Sequence, residues 1–129
     1  MNRSKHGAVN QTTSARALSV FVGLAGVMHF VKPGFFDAIV PEALPGAPRA
    51  WTYGSGVAEL AVAGAIARPT SRRLGGLAAA ALFVAVFPAN VQAAIDARTT
   101  AEKAVTWIRL PLQVPLVRWA LKVRRHTET

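Results

Sequence analysis

Polar side chains that can carry out acid–base or hydrogen-bonding chemistry interrupt otherwise apolar stretches at His29, Glu59, Asn90, Arg109 and Gln113. Histidine can act as an acid, a base or a hydrogen-bond donor. A carboxylate can hold a proton, and an amide both donates and accepts hydrogen bonds. An ionisable group inside an apolar segment is expensive, so such a group is by default a functional-site hypothesis. We therefore predict that these five residues form a ligand-binding site, and we assign no catalytic residue.

The apolar stretches that carry these residues have the length of membrane-spanning helices. The chain has 129 residues, of which 52% are hydrophobic and 16% charged, and its mean hydropathy is +0.31. An average soluble domain is about a quarter charged. Spans are predicted over residues 15–31, 51–67, 74–95 and 104–123. The sequence thus predicts an all-α, integral membrane four-helix bundle.

The segments outside the spans are polar or rich in proline. Residues 1–14 are predicted to be a disordered basic tail, and residues 124–129 a second basic tail. Residues 33–50 form a loop with four prolines. We predict a short interfacial or re-entrant segment within it, because it is too short to span a membrane. Its apolar face would consist of Phe35, Phe36, Ile39, Val40 and Leu44, with Asp37 and Glu42 facing water.

Within the third span, Pro88 is expected to kink the helix, because proline cannot donate the helical hydrogen bond. Asn90 and Gln92 follow two residues apart. They point in nearly opposite directions on a straight helix, so at most one of them faces the bundle centre. Arg109 and Gln113 in the fourth span are four residues apart and share a face.

The basic residues lie at alternate ends of the spans. The N-terminal segment, the second loop and the C-terminal segment are basic, whereas acidic residues offset the cations of the first and third loops. The positive-inside rule then predicts a multi-pass protein of the cytoplasmic membrane with both termini cytoplasmic. The net charge of +9 does not indicate nucleic-acid binding, because the cations end apolar segments instead of lining one amphipathic face.

The five polar residues fall at similar depths in this arrangement. A rise of about 1.5 Å per residue places Glu59 about 12 Å from the outer end of its span. The other four also lie in the outer half, and the inner half, including residues 77–87, is almost purely apolar. This pattern predicts a polar pocket that opens outward beneath the loop of residues 33–50. It offers no polar path for a transporter.

Structural interpretations of the same residues remain open. Asn90 and Gln113 can join helices without touching a ligand. Glu59 can pair with Arg109 or with His29, and a pair would make burial of the charges tolerable. His29 can also be a plain interfacial residue. No spacing of histidine, aspartate and glutamate suits a metal, and the chain has no cysteine.

Five short motifs resemble the DoxX-like family of small bacterial four-span membrane proteins. They are GVMHF (26–30), PEALPG (41–46), WTYGSGVAELAVA (51–63), VFPANVQ (86–92) and WIRLPLQVPLVRWA (107–120). The family takes its name from a subunit associated with a terminal quinol oxidase, and relatives resemble membrane partners of redox or detoxification enzymes. The resemblance implies four helices and a redox or quinone connection. All five candidate residues fall within these motifs.

The expected function is therefore binding, without catalysis, of a quinone or lipid-like molecule in the outward pocket. We expect the protein to be embedded in membrane lipid and to have a redox enzyme or an oxidase subunit as its protein partner. Quinone is the one cofactor to which the resemblance points. The alternative is a membrane enzyme that acts on a lipid-soluble substrate, with His29 and Glu59 as acid and base. Both the binding protein and the enzyme are compatible with homo-oligomerisation.

Overall fold

Six α-helices make up the part of the chain that the computed structural model describes, which is residues 2–38, 40 and 43–125, with side chains from residue 11 onward. They are α1 (Asn2–Val31), α2 (Pro33–Asp37), α3 (Pro48–Ala67), α4 (Arg72–Ala85), α5 (Phe87–Asp96) and α6 (Thr100–Arg125). No strand occurs in those ranges. The predicted all-α class is confirmed.

The first helix is longer than the predicted span. It begins at Asn2, whereas the sequence predicts a disordered tail over residues 1–14. The chain has no proline before Pro33, so no residue in this region removes a helical hydrogen bond. The last helix similarly includes Arg124 and Arg125 of the predicted C-terminal tail. Residues 126–129 lie outside the described residues.

The loop helix α2 is shorter than the predicted interfacial segment. It contains Phe35 and Phe36 and ends at Asp37, so Val40 and Leu44 follow outside it. Ile39, Pro41 and Glu42 of the prediction lie outside the described residues. Pro33 begins the helix at a position where its missing N–H costs nothing.

The third predicted span is two helices that meet at Val86. The N–H of Val86 donates to the Leu82 carbonyl oxygen at 3.0 Å, and its own carbonyl oxygen accepts from the Asn90 N–H at 3.1 Å. Pro88 lies in the first turn of α5, which confirms the predicted kink. Because of this break, α5 packs mainly on α6 and carries Asn90 toward it.

The long helices pack in the order α1, α3, α4, α6; α6 also contacts α1, and α5 packs on α6. Small residues line the seams and allow the backbones to approach closely. A β-carbon on Gly75 would lie 2.7 Å from the Ile66 nitrogen, and one on Gly76 would lie 2.9 Å from the Arg124 nitrogen. The buried core that results is Ala15, Leu18, Val22, Ala63, Ile66, Ala79, Ala80, Phe83, Ala120 and Val123.

Two helical segments of the described chain are long and apolar enough to cross a membrane. They are Gln11–Val31, with 21 residues, and Arg72–Asp96, with 25 residues across the α4–α5 break. The apolar windows of these segments are only 28% and 33% buried within the bundle. A core helix of a soluble protein would be mostly buried, and these two segments are not.

Candidate functional site

The candidate site lies in the seam between α1 and α3, where two glycines bring the helices together. A β-carbon on Gly26 would lie 3.1 Å from the Gly56 carbonyl oxygen. One on Gly56 would lie 2.7 Å from Phe30 Cε2 and 2.9 Å from the β-carbon of His29. This close approach brings His29, at the end of α1, beside Glu59, one turn beyond Gly56 on α3.

His29 and Glu59 form a close, buried pair. His29 Nδ1 lies 3.2 Å from Glu59 Oε2, and the two side chains are 8% and 13% exposed. The same Nδ1 lies 2.6 Å from the Ala25 carbonyl oxygen. A carbonyl can only accept, so Nδ1 carries a proton and donates it to Ala25. Glu59 Oε2 is consequently buried without a hydrogen-bond partner.

Helix α2 covers this pair. The Phe36 ring stacks on the His29 ring, with centroids 3.7 Å apart and planes inclined by 17°. His29 is therefore held on one side by Phe36 and at Nδ1 by Ala25. The arrangement fixes the orientation of the imidazole.

Asp37 fastens α2 to the start of α3. Its Oδ1 accepts from the Thr52 hydroxyl at 2.5 Å, and its Oδ2 accepts from Arg49 Nε at 2.8 Å. The Thr52 hydrogen bond and the Arg49 guanidinium lower the pKa of Asp37 below its ordinary value. The stabilisation from this contact is therefore present at neutral pH and is lost as the pH falls through the lowered pKa. Asp37 is thus not the plain water-facing residue that the sequence predicts.

Asn90 and Gln113 form a second, separate pair between α5 and α6. Asn90 Nδ2 donates to Gln113 Oε1 at 3.2 Å, and Gln113 Nε2 donates to the Phe83 carbonyl oxygen of α4. Both residues are buried. Gln92 is half-buried and donates to Asp96, so Asn90 is the residue that faces the bundle interior. Their contacts join α4, α5 and α6, which favours the structural interpretation of this pair.

Arg109 does not pair with Glu59; of the two partners that the sequence left open for Glu59, the structure has His29. Arg109 is half-buried and has no ion-pair partner within the part of the chain that the structure describes. The partner of Glu59 is His29, because α3 packs against α1 and α4 but not closely against α6. The five predicted residues are therefore not one cluster: the structure joins His29 to Glu59 and Asn90 to Gln113, and leaves Arg109 apart.

An apolar groove of about 510 Å³ lies on the neighbouring face of α3. Its lining residues are Pro45, Ala50, Trp51, Gly54, Ser55, Ala58 and Leu82. A hydrogen bond at the rim of the groove, from Trp51 Nε1 to the Pro45 carbonyl oxygen at 2.7 Å, holds these two residues together. None of the five predicted residues lines it, although Ala58 immediately precedes Glu59 in the chain.

Sequence reasoning missed Phe36, Thr52 and Asp37 as parts of the site. Thr52 and Gly56 precede Glu59 by seven and three residues, which is the spacing of one helix face, so the pattern of α3 alone contained this signal. No sequence pattern indicated the contacts of α2, because these contacts depend on how a loop folds back over two helix ends.

Changing Gly56 to alanine should separate His29 from Glu59. The added β-carbon meets Phe30 and the β-carbon of His29 at distances that ordinary contacts do not reach, so α1 must move away from α3. We expect a loss of about 1–3 kcal/mol in the free energy of unfolding. Denaturation in detergent measures it.

Gly54→Ala is the matched control, because a β-carbon there meets nothing within 4 Å. That substitution should be neutral or slightly stabilising, since alanine favours a helix over glycine. Equal losses for both variants would show that Gly56 does not set the approach of α1 and α3.

The fold and site define an all-helical bundle with two segments able to cross a membrane and a buried histidine–carboxyl pair. The sequence model of the family described as Domain of unknown function (DUF8561) matches residues 18–124. The match covers most of the chain, which belongs to this family. No curated protein and no solved structure matches the chain. The family description states no activity, so the functional argument rests on the site.

Proposed function

We propose that the chain is a four-span integral membrane protein whose spans are α1, α3, the α4–α5 pair and α6. Besides the two apolar segments, the exposed surface supports this proposal. Large exposed apolar side chains occur on both α1 and α6, including Val20, Leu24, Val27, Val105, Ile108 and Leu112. An apolar surface of this extent is unfavourable in water and favourable against lipid.

We place both termini in the cytoplasm on the basis of the charge distribution. The test uses single cysteines in a chain that has none. A cysteine at Thr70, in the α3–α4 turn, should be protected from an impermeant thiol reagent in intact cells. A cysteine at Ala101, near the start of α6, should be labelled. Both residues are exposed, so they form a matched pair. Labelling at Thr70 and protection at Ala101 would reverse the orientation.

The function that the site supports best is binding of a lipid-soluble molecule, a quinone or a lipid-like compound, at the His29–Glu59 pair. The observation that carries it is the Glu59 oxygen that is buried without a hydrogen-bond partner. An unsatisfied buried oxygen costs about 1–3 kcal/mol, and a ligand that supplies a donor would recover that energy. The groove on the neighbouring face of α3, whose lining includes Ala58 next to Glu59 in the chain, can hold an apolar molecule.

A docking role beside a redox enzyme is the second part of this proposal, and its support is the resemblance of the motifs to the DoxX-like family. Such a protein would hold its ligand at the outer half of the membrane and present it to a partner. The ligand-binding residues that remain in the proposal are His29 and Glu59. Asn90 and Gln113 hold the bundle together, and no contact assigns a role to Arg109.

The test is to purify the protein in mild detergent from its native membranes and to identify retained small molecules by mass spectrometry. We expect one lipid-soluble compound at near-stoichiometric amounts, and its loss from Glu59→Gln. Asn90→Ala is the matched control, because it breaks the other buried polar pair. The control should keep the compound. Absence of any retained compound from the wild-type protein, or equal loss from both variants, would contradict the proposal.

The alternative function is a membrane enzyme in which His29 and Glu59 exchange a proton with a bound substrate. The specific observation in its favour is the 3.2 Å separation of two titratable groups, one of them held rigidly by Ala25 and Phe36. Here the retained compound should be converted chemically by the wild-type protein, and unconverted compound should accumulate on Glu59→Gln. A compound recovered unchanged from the wild-type protein and lost from Glu59→Gln would exclude the enzyme and leave the binding protein.

A further inference from the structure

The tertiary structure gathers the basic segments of the chain at one end of the bundle. The Ser14 hydroxyl of α1 accepts from Trp119 Nε1 of α6 at 2.9 Å. Gly76 of α4 lies against the Arg124 backbone, and Gly75 lies against Ile66 of α3. These contacts bring the end of α3, the start of α4 and the last turns of α6 to the level of Ser14, in the middle of α1. We call their cations the basic end: Arg16, Arg68, Arg72, Arg73, Lys122, Arg124 and Arg125.

No acidic residue of the described chain lies at the basic end. Asp37 follows the opposite end of α1, and Asp96 and Glu102 flank the α5–α6 connection at that same opposite end. Glu59 lies eight residues after the start of the second predicted span, within the other half of the bundle. The side chains of Arg16, Arg68, Lys122 and Arg125 are exposed. Among the described residues, therefore, no carboxylate beside these four side chains offsets their positive field.

The α3–α4 turn adds to this field. Ser71 donates its hydroxyl proton to the Ala65 carbonyl oxygen at 2.8 Å and does not cap α4. Arg72 Nε donates to the Ile66 carbonyl oxygen at 2.8 Å, so it offsets the negative end of α3. The first turn of α4, which has no side-chain cap, points its N–H groups toward the same end as these arginines.

Exposed apolar side chains border the cations directly. Leu74 follows Arg73 and is 68% exposed, and Val20 lies one turn beyond Arg16 and is 60% exposed. A phospholipid presents the matching combination of an anionic headgroup and apolar chains. A nucleic acid or an acidic protein presents negative charge without the apolar chains. The surface therefore fits one class of partner better than the others.

We propose that the basic end is a binding surface for the headgroups of anionic phospholipids. Clusters of four to eight lysines and arginines beside membrane-spanning helices attract anionic lipids, and each cation near the surface strengthens the attraction. The surface is at the opposite end of the bundle from the α2 cap. It is independent of the ligand proposed for His29 and Glu59.

The experiment titrates the purified full-length chain in detergent with phosphatidylglycerol or with phosphatidylcholine of the same chains, and measures bound lipid by native mass spectrometry. Wild type should prefer phosphatidylglycerol by at least tenfold. The triple variant Arg68→Gln, Lys122→Gln, Arg125→Gln should bind it more weakly by on the order of 100-fold, the effect of about three surface cations. Raising the salt concentration should weaken the preference, as expected for exposed charges.

The matched control removes three exposed cations from the opposite end, as Lys32→Gln, Arg98→Gln, Lys103→Gln. It has the same net charge as the test variant and should keep the preference. An equal loss in both variants, or no preference in the wild type, would overturn the proposal. So would displacement of the lipid by inorganic phosphate or by an RNA oligonucleotide at the same phosphate concentration, since the surface would then recognise phosphate alone or nucleic acid. Unchanged melting temperatures show that the variants are folded.

Discussion

Replacing His29 with leucine should lower the free energy of unfolding by about 3 kcal/mol or more, because it removes the imidazole that lies 3.2 Å from the buried Glu59 oxygen. The substitution also removes the hydrogen bond to the Ala25 carbonyl oxygen and the stack on Phe36. Reversible denaturation in detergent measures the loss. It is the largest effect that we expect from a single substitution in this chain.

The companion variant is Glu59→Leu. Its free energy of unfolding should be close to that of the wild type or higher. The substitution removes the buried oxygen that has no hydrogen-bond partner, while His29 keeps its hydrogen bond to the Ala25 carbonyl oxygen. The double variant His29→Leu, Glu59→Leu should recover most of the stability lost by His29→Leu. A coupling of about 2 kcal/mol or more between the two positions is the expected outcome of the cycle.

Arg109→Leu is the control for this cycle, because arginine is the other residue that sequence alone makes a candidate partner. Its effect on the free energy of unfolding should add to that of Glu59→Leu without coupling, because Arg109 lies apart from the His29–Glu59 pair in the structure. Strong coupling of Glu59 to Arg109, with none to His29, would mean that the α1–α3 seam does not hold the site as described. If Glu59→Leu gains stability while ligand retention is lost, the carboxyl is kept for function at a cost in stability.

Gly75→Ala should destabilise the protein by about 2 kcal/mol, because the new β-carbon meets backbone and not a movable side chain. It would lie 2.7 Å from the Ile66 nitrogen and 2.9 Å from the Ala65 carbonyl carbon. Neither atom can move without shifting the end of α3 away from α4. The change should appear as a lower melting temperature in detergent.

Gly64→Ala is the matched control for Gly75→Ala. A β-carbon at Gly64, inside α3, meets nothing within 4 Å. It should stabilise the helix by about 0.5–1 kcal/mol, the ordinary advantage of alanine over glycine. A neutral Gly75→Ala would imply that α3 and α4 are farther apart than the structure has them.

The sequence by itself determined those features that follow from one helix at a time. The lengths of the apolar segments predict the helices, and Pro88 predicts the break between α4 and α5, because a missing N–H acts locally. The helical period places Thr52, Gly56 and Glu59 on one face. The same period allows only one of Asn90 and Gln92 to face the interior, but it does not say which.

The tertiary structure alone decided which helices are neighbours. The depth in the membrane predicted from the sequence places Glu59 level with both His29 and Arg109. The sequence therefore makes both residues equal candidates for the partner of Glu59. The choice depends on the close approach of Gly26 and Gly56, which brings α1 against α3, while α6 lies beyond α4. The cover of Phe36 over His29 likewise depends on the way residues 33–37 fold back across two helix ends. Such contacts join residues distant in sequence, and no local periodicity encodes them.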